Sequence, residues 1–482
     1  MTTVSADILL IAVNARYSHS AHAARSLAAN LGALARRADL LETDLDVSPL
    51  QLAAQIEERR PRVAGFSVYL WNVRIVEAAA RILRAVSPEM RLVAGGPEIT
   101  PDYANAAFFD AIVVGEGETA FRRLCSGWLS DDGDRTPQAA NRDSAIVLAD
   151  PEDPATLALP YDLYTEDDLA RRTVYVEASR GCPYACSYCT SAGTGLRLLP
   201  LDRILPAFDR LWQRGLRRFK FLDRSFNAPA AHASAILDFF LDRVTPDTML
   251  HLEINPDRLH ASVASRLAAF PRGTLHLAVG VQTLEPRVAA AVGRSADVDA
   301  TLDHVRFLTR ETGASVHADL IFGLPGEDED SFARGFDRLI EVCDPPAVQV
   351  NLLKGLPGTR LAREAASLGL VFSPEPSYEL LRSDTLDFAA LQRLQRFARC
   401  WELTHNRGRF PRAIRALHEV CGGRCFASCQ ALAARIHAEE GRLFALSPNR
   451  LARHLRAHLT EYHGMSATET DALLAADLSA KP

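Results

Sequence analysis

The segment Arg180-Gly181-Cys182-Pro183-Tyr184-Ala185-Cys186-Ser187-Tyr188-Cys189 sets three cysteines at C-x3-C-x2-C spacing, directly after the β-rich run TVYVEASRG (173–181). Thiolates are the usual protein ligands of iron–sulfur clusters, and three of them leave one iron of a [4Fe–4S] cube open to another ligand. Zinc in structural sites takes four closed protein ligands, and no fourth Cys or His lies nearby in sequence. Incidental cysteines would have no reason to sit at the mouth of a strand, flanked by glycine and aromatic residues. Cys182, Cys186 and Cys189 are therefore the candidate metal ligands.

Working outward, the β-α alternation downstream of 173 offers six strand candidates: TVYVEASRG, RRFKFLDRSF, LHLEINPDRL, TLHLAVGVQT, SVHADLIFGLPGE and AVQVNLLKGLP. Helical stretches such as LDRILPAFDRLWQR and SFARGFDRLIEV separate them. Six parallel strands with outer helices predict a partial (β/α)6 TIM-type barrel with its site at the C-terminal rim. Upstream, ADILLIAVN, ADLLETDLDV, RVAGFSVYL, RLVAGGPE and FDAIVVGEGE alternate with amphipathic helices. This predicts a doubly wound, Rossmann-like α/β sheet whose ligands sit beyond the C-terminal strand ends. The Asp-, Pro- and Gly-rich stretch between the two series reads as a linker, and the residues beyond about 360 carry a helical pattern with no strand series. The expected divisions are 1–126, a linker at 127–165, the barrel at 166–360 and a mainly helical domain at 361–482.

Composition agrees with this outline. At about 150 residues per domain, 482 residues suggest three domains. The 48% hydrophobic and 24% charged content excludes collagen-like, mucin-like and disordered chains. No apolar run approaches the ~18 residues needed to span a bilayer. The N-terminal residues lack the basic region of a secretion signal, so a cytoplasmic location is expected. A net charge of −6 without a basic block argues against a nucleic-acid partner. Nine cysteines are too few for a disulfide scaffold in a chain this long.

With these motifs in place, the chain resembles the cobalamin-binding radical S-adenosylmethionine (SAM) family. FKFLDRSFN (219–227) is similar to the segment that contacts the SAM amino group in that family, which implicates Asp223. The resemblance likewise implicates Glu253 in LEINPDRL, Gln282 and Arg294 in VGVQTLEPRVAAAVGR, Gly323 in ADLIFGLPGE near the adenine, and Tyr188 in the cluster loop as SAM contacts. Arg294 would pair with the methionyl carboxylate through a bidentate fork. GEGETA (115–120) imitates a dinucleotide fingerprint, but that fingerprint belongs on the first strand of its unit and this one follows the fifth.

The N-terminal segments VNARYSH, FSVYLWN, AGGPE and VVGEGE resemble the strand-end loops of a cobalamin-binding domain. They nominate Asn14, Tyr17, Ser67, Tyr69, Leu70, Trp71, Gly95, Gly96, Pro97, Glu98, Gly115, Glu116 and Gly117 as cobalamin contacts. The glycines are expected to let the backbone approach a bulky ligand. None of the 14 histidines has Asp two positions before it, so the Asp-x-His-x-x-Gly motif that ligates cobalt in other cobalamin domains is absent. Tyr69 and Trp71 are then expected to cover the lower cobalt face, while His19 and His22 read as polar groups at a helix start.

At the C-terminal end, NLLKGLPGTRLAREA, PSYELLRSDTL and THNRGRF resemble a domain of unknown function found in one branch of the family, with Tyr378 and Glu379 as candidate substrate contacts. Cys421-x3-Cys425-x3-Cys429 would share one face of a continuous helix, fit for a second cluster or zinc. Small cysteines buried in a core would look the same, and Gly422 and Gly423 weaken the helix.

The resemblance implies an enzyme that binds a [4Fe–4S] cluster, SAM and cobalamin and reductively cleaves SAM to a 5′-deoxyadenosyl radical. The leading expectation is methylation of an unactivated carbon, or phosphorus, of a small molecule. An external one-electron reductant such as flavodoxin or ferredoxin would supply the electron. The alternatives are a radical cyclase or rearranging enzyme with the same cofactors, and, with less support, a tRNA-modifying methylthiotransferase. The latter family carries N-terminal cysteines, and here none precedes Cys125.

Overall fold

The first strand, β1 (Ile8–Asn14, ILLIAVN), is apolar almost throughout, the signature of a parallel strand covered on both faces. In the computed structural model, which describes residues 6–130, 144–343 and 347–479, alternate residues of β1 do enter opposite cores. Leu9 and Ile11 pack with Phe66, Leu92 and Val76, whereas Ile8 and Leu10 pack with Val63, Val93 and Phe121. The sheet continues through β2 (Ala38–Asp44), β3 (Val63–Ser67), β4 (Arg91–Gly95), β5 (Ala111–Val114) and β6 (Ala145–Leu148). Its order is β2-β1-β3-β4-β5-β6 and every pairing is parallel. Between the strands lie helices such as Pro49–Arg59, whose start is set by a Ser48/Gln51 capping box, and Val73–Val86.

The sheet therefore has six strands where the sequence suggests five. The sixth comes from the stretch read as linker, a four-residue AIVL segment with mostly exposed side chains. A strand that short at a sheet edge has too little alternation to be read from its residues.

The chain divides into two compact units, Met1–Gly181 with Gly195–Asp223 and Glu375–Ser377, and Cys182–Thr194 with Arg224–Pro374 and Tyr378–Pro482. The first unit also holds β7 (Val174–Val176), the short antiparallel pair β8 (Ser179–Arg180) and β9 (Arg197–Leu198), and β10 (Arg218–Phe221), which pairs in parallel with β7. In the second unit β11 (Met249–Ile254), β12 (Leu275–Gln282), β13 (Ser315–Phe322) and β14 (Ala347–Leu352) pair in parallel in chain order. Together these are the six predicted strands of a partial barrel, with helices such as Val298–Arg310 and Glu329–Cys343 as crossovers. Along β11 to β13 fully buried residues alternate with half-buried ones. One face is sealed under the helices and the other looks into the lumen.

The C-terminal helices Phe388–Trp401, Pro411–Cys421 and Cys425–Glu440 pack in the second unit around Phe332, Phe336, Phe397, Trp401 and Phe426, whose rings meet mainly edge to face. Asn406, in a π-helical turn after the first of them, hydrogen-bonds both the N–H and the carbonyl of Val348 on β14. These helices thus close the last strand rather than standing apart from it. No helix among the described residues is long and apolar enough to cross a membrane.

Candidate functional site

In the first unit, the nominated loops follow β1, β3, β4 and β5, which are neighbours in the sheet, so all open at the same carboxyl edge. The loop after β3 is built by Asn72, a buried residue that the sequence reading passes over. Its side-chain amide donates to the carbonyls of Val13 and Ser67, and its oxygen accepts from the Tyr69 N–H. Trp71 donates to the same Val13 carbonyl. Tyr69 and Trp71 stack at 4.4 Å and 7°, and Trp71 remains 46% exposed, leaving a flat aromatic surface at the strand ends. That surface suits the seat of a planar macrocycle. Asn14 bonds the His19 carbonyl and Glu42, and Tyr17 is exposed, reaching Asp167.

The glycines serve the fold more than expected. A Cβ on Gly96 (φ +118°) would lie 2.5 Å from the Val68 carbonyl oxygen, and one on Gly115 (φ +105°) would lie 2.7 Å from that of Ala149. At these two positions neighbouring backbone by itself demands glycine. Gly117 meets Leu27 at 3.3 Å; only Gly95 has ordinary space, with its closest atom at 3.6 Å. His19 and His22 are engaged, as expected of structural groups: His19 Nδ1 meets the Tyr175 hydroxyl at 2.9 Å, and His22 Nδ1 meets the Tyr164 hydroxyl and the Tyr175 carbonyl. Glu98 is buried and Pro97 exposed on the β4 loop, beside a buried Ser67 and a half-buried Leu70.

Glu116 carries a side chain bound to Arg180 and Arg197. Burial alone would raise its carboxyl, but Arg197, the Glu152 N–H and Arg180 hold it below its ordinary value. Glu177 behaves similarly: burial is outweighed by His22 and Arg180, which draw its carboxyl down to about 2. Asp223, nominated as a SAM contact, is fully buried with both oxygens in use, accepting from the Ala178 N–H and the Ser179 hydroxyl. Burial pushes its carboxyl up to about 7. Asp223 thus braces the turn that leads into the cysteine loop.

In the second unit the cysteine loop is held by its neighbours. The Cys189 N–H bonds the Cys186 carbonyl, the Ser187 N–H bonds Val292, and the Leu361 N–H bonds Ser187. Gly293 (φ +77°) lets the loop approach, since a Cβ there would sit 2.8 Å from the Ala185 carbonyl oxygen. Cys182 and Cys186 are buried and Cys189 is half-buried, within electrostatic reach of one another. Among the described residues no three Cys, His, Asp or Glu converge on a single metal ion.

Arg294, largely buried, lies beside Cys186 and Tyr188. Its Nη2 bonds Asp257 at 2.9 Å and the Gly280 carbonyl at 2.6 Å, the guanidinium also meets Cys186, and its Nε is buried without a partner. Gln282 ends β12 with φ +69°, where the register against β13 shifts. Its amide folds back over Gly280, where a Cβ would lie 2.7 Å from Nε2. Such strain concentrates at ligand sites. The Gly323 N–H is taken by Glu327 at 3.0 Å, and a Cβ on Gly323 would strike Leu380. The carboxylate of Glu253 lies 3.9 Å from Arg224.

Several site residues escape the motif reading. Glu327, fully buried, also accepts from the Thr283 hydroxyl at 3.2 Å, and burial pushes its carboxyl up to about 8. Asp319 faces the lumen, where burial and Glu253 raise it to about 7. His251 and His276 stack below at 4.6 Å, with His317 edge-on to His276. A signal existed for this row, since polar residues at alternate positions of otherwise apolar barrel strands must face the lumen. Tyr378 (φ +55°) and Glu379, offered as substrate contacts, join the exit of β14 through their backbone: the Tyr378 carbonyl accepts from Gly355, and Glu379 bridges Lys354.

Cys421, Cys425 and Cys429 do not share one helix. Cys421 ends one helix, Gly422 and Gly423 turn at positive φ, and Cys425 begins the next. The Cys421 and Cys425 sulfurs lie 2.9 Å apart and Cys429 neighbours Cys400. All are buried, as core cysteines would be.

Comparison with known proteins matches residues 8–125 to the B12 binding domain and residues 176–339 to the Radical SAM superfamily. The cobalamin-dependent radical SAM methyltransferase TokK of Streptomyces tokunonensis is 27% identical over 350 residues, covering 65% of this chain and 50% of that protein. The 2-(S-pantetheinyl)-carbapenam-3-carboxylate methyltransferase of Streptantibioticus cattleyicolor is 27% identical over 365 residues, covering 68% and 52%. The chain thus spans about half the length of these relatives. Among solved structures, the radical S-adenosylmethionine methyltransferase TsrM from Kitasatospora setae superposes with a TM-score of 0.59 at 20% identity, covering 77% of this chain and 79% of that one, a likeness of fold.

Proposed function

We propose that the chain, which matches the B12 binding domain over residues 8–125 and the Radical SAM superfamily over residues 176–339, is a cobalamin-dependent radical SAM methyltransferase acting on an unactivated carbon or phosphorus of a small molecule. The observation that carries this reading is that one chain presents two ligand sets: a three-thiol loop beside Arg294, and strand-end loops with an exposed aromatic stack. When bound, a [4Fe–4S] cluster supplies an electron that cleaves SAM to a hydrogen-abstracting radical, and cobalamin carries the methyl group.

The chain's own residues position these groups. Cys182, Cys186 and Cys189 would hold the irons, and Arg294 would meet the carboxylate of SAM, with Tyr188 beside it and Gln282 folded over the Gly280 that Arg294 bonds. Tyr69 and Trp71 would offer the corrin ring a flat aromatic seat. An external one-electron donor such as flavodoxin or ferredoxin, and a cytoplasmic location, belong to the same reading.

Anaerobic reconstitution with iron, sulfide and hydroxocobalamin should give about four irons and one cobalamin per chain. With SAM and a chemical reductant, a methyltransferase should release 5′-deoxyadenosine together with S-adenosylhomocysteine, the latter only when cobalamin is loaded. Cys186→Ala should abolish the cluster absorbance and 5′-deoxyadenosine. Release of 5′-deoxyadenosine without S-adenosylhomocysteine would favour a ring-forming or rearranging enzyme instead.

A further inference from the structure

Arg180 stands two residues before the first cluster cysteine, and β8 places it directly across from Arg197 on β9. Like charges facing across a strand pair repel, and here acids are interposed. Glu116 bonds both guanidiniums, reaching Arg180 at 3.3 Å and Arg197 at 3.1 Å. Arg180 Nη2 also contacts Glu118 at 2.7 Å and Glu177 at 3.1 Å. Ser26 closes the ring by donating to Glu118 at 2.7 Å. The centre is nearly dry, with Arg180 11% and Glu118 6% exposed.

Two of the three acids, Glu116 and Glu118, belong to the Gly115–Glu118 turn after β5, one of the strand-end loops assigned to cobalamin. Gly115 fixes the backbone of that turn against Ala149, so the acid side chains emerge in a set direction. A buried network of this kind contributes little net stability over apolar packing, because desolvation offsets its Coulomb attraction. What it does supply is a definite register, since a planar fork with five donors satisfies three carboxylates in only one arrangement.

We propose that Arg180 is a positioning residue that ties the Gly115–Glu118 turn to the segment carrying the cluster cysteines, so that cobalamin binding and cluster binding are energetically linked. The inference rests on the two-cofactor reading above. Linkage is reciprocal: whatever factor the cluster adds to cobalamin affinity, cobalamin adds to cluster retention.

The test compares hydroxocobalamin affinity in cluster-loaded and cluster-free full-length protein. Wild type should bind cobalamin at least about fivefold more tightly with the cluster in place, the lower end of ordinary coupling. Arg180→Gln should bring the ratio to about one. Arg180→Lys, which cannot fork to three carboxylates, should retain only part of it. Glu118→Gln removes one arm while Glu116 and Glu177 still neutralise the guanidinium; it should fold where Arg180→Gln fails and should lower the ratio too.

A merely structural role would weaken both affinities together and leave the ratio intact. An unchanged ratio in Arg180→Gln or in Glu118→Gln overturns the proposal, as does a wild-type ratio of one. The readout is binding, so it stands whether or not methyl transfer is found. Absence of cobalamin binding in any form would overturn both this inference and the two-cofactor reading, whereas binding without linkage would overturn only this one.

Discussion

At the scale of single residues, the buried carboxyls divide into two kinds. Glu177 is ion-paired and held low, while Asp223 and Glu327 receive only hydrogen bonds and are pushed up by burial. The sign of each shift follows from whether a cation faces the group. Glu327 has a measurable consequence. Its folded carboxyl titrates at about 8 against an ordinary 4.5, so the folded chain keeps a proton that the unfolded chain releases across that interval. Stability should therefore fall as pH rises through the window and level off above about 8. Glu327→Gln stays neutral throughout. In thermal melts it should match wild type near pH 5 and exceed it by at least about 3 °C at pH 8; an unaltered pH slope would assign the effect to another group.

At the scale of elements, the strand-end loops show how one residue type serves two purposes. Gly96 is required by Val68, and Gly95 meets no such obstacle. Gly96→Ala should destabilise the first unit by about 1–3 kcal/mol and release cobalamin, while iron stays at about four per chain. Gly95→Ala should leave the melting temperature unchanged within about 1 °C, because its Cβ meets Val113 only at ordinary contact distance, and still weaken cobalamin retention by adding bulk at the strand end proposed for that ligand. Equal melting losses in the two variants would show that both glycines are structural. Element periodicity also explains the uneven reading of the barrel. The outward faces of β11 to β13 are apolar and easily seen, whereas His251, Glu253, His276, His317 and Asp319 occupy the lumen positions between them.

At the scale of the whole molecule, cysteines close in sequence have separate fates. The 182–189 group is gathered on one loop, and the 421–429 group is distributed over the end of one helix and the start of the next, inside the packing around Phe397 and Phe426. Cys425→Ala should leave iron at about four per chain and lower stability by about 1 kcal/mol, read as iron content and melting temperature. A fall in iron would make these thiols ligands. The C-terminal helices likewise belong to one unit with β11 to β14, joined through Asn406, so a cut at 361 would expose the edge of β14.

The strand and helix alternation of both sheets apart from the edge strand β6, the cysteine loop and the family resemblance are legible in the residues alone. These follow from local patterns: apolar runs bounded by turn residues, fixed ligand spacing, and glycines at strand ends. Which nominated side chains already have partners within the fold emerges only from tertiary contacts. Asp223 and Glu116 have their side-chain oxygens engaged, Arg294 keeps a buried, unpaired Nε, and Asn72, Glu327 and Gly293 gain their roles from distant neighbours. The physical reason is that a hydrogen bond or a close approach joins residues far apart in the chain, and no local pattern encodes which partner a buried polar group will find.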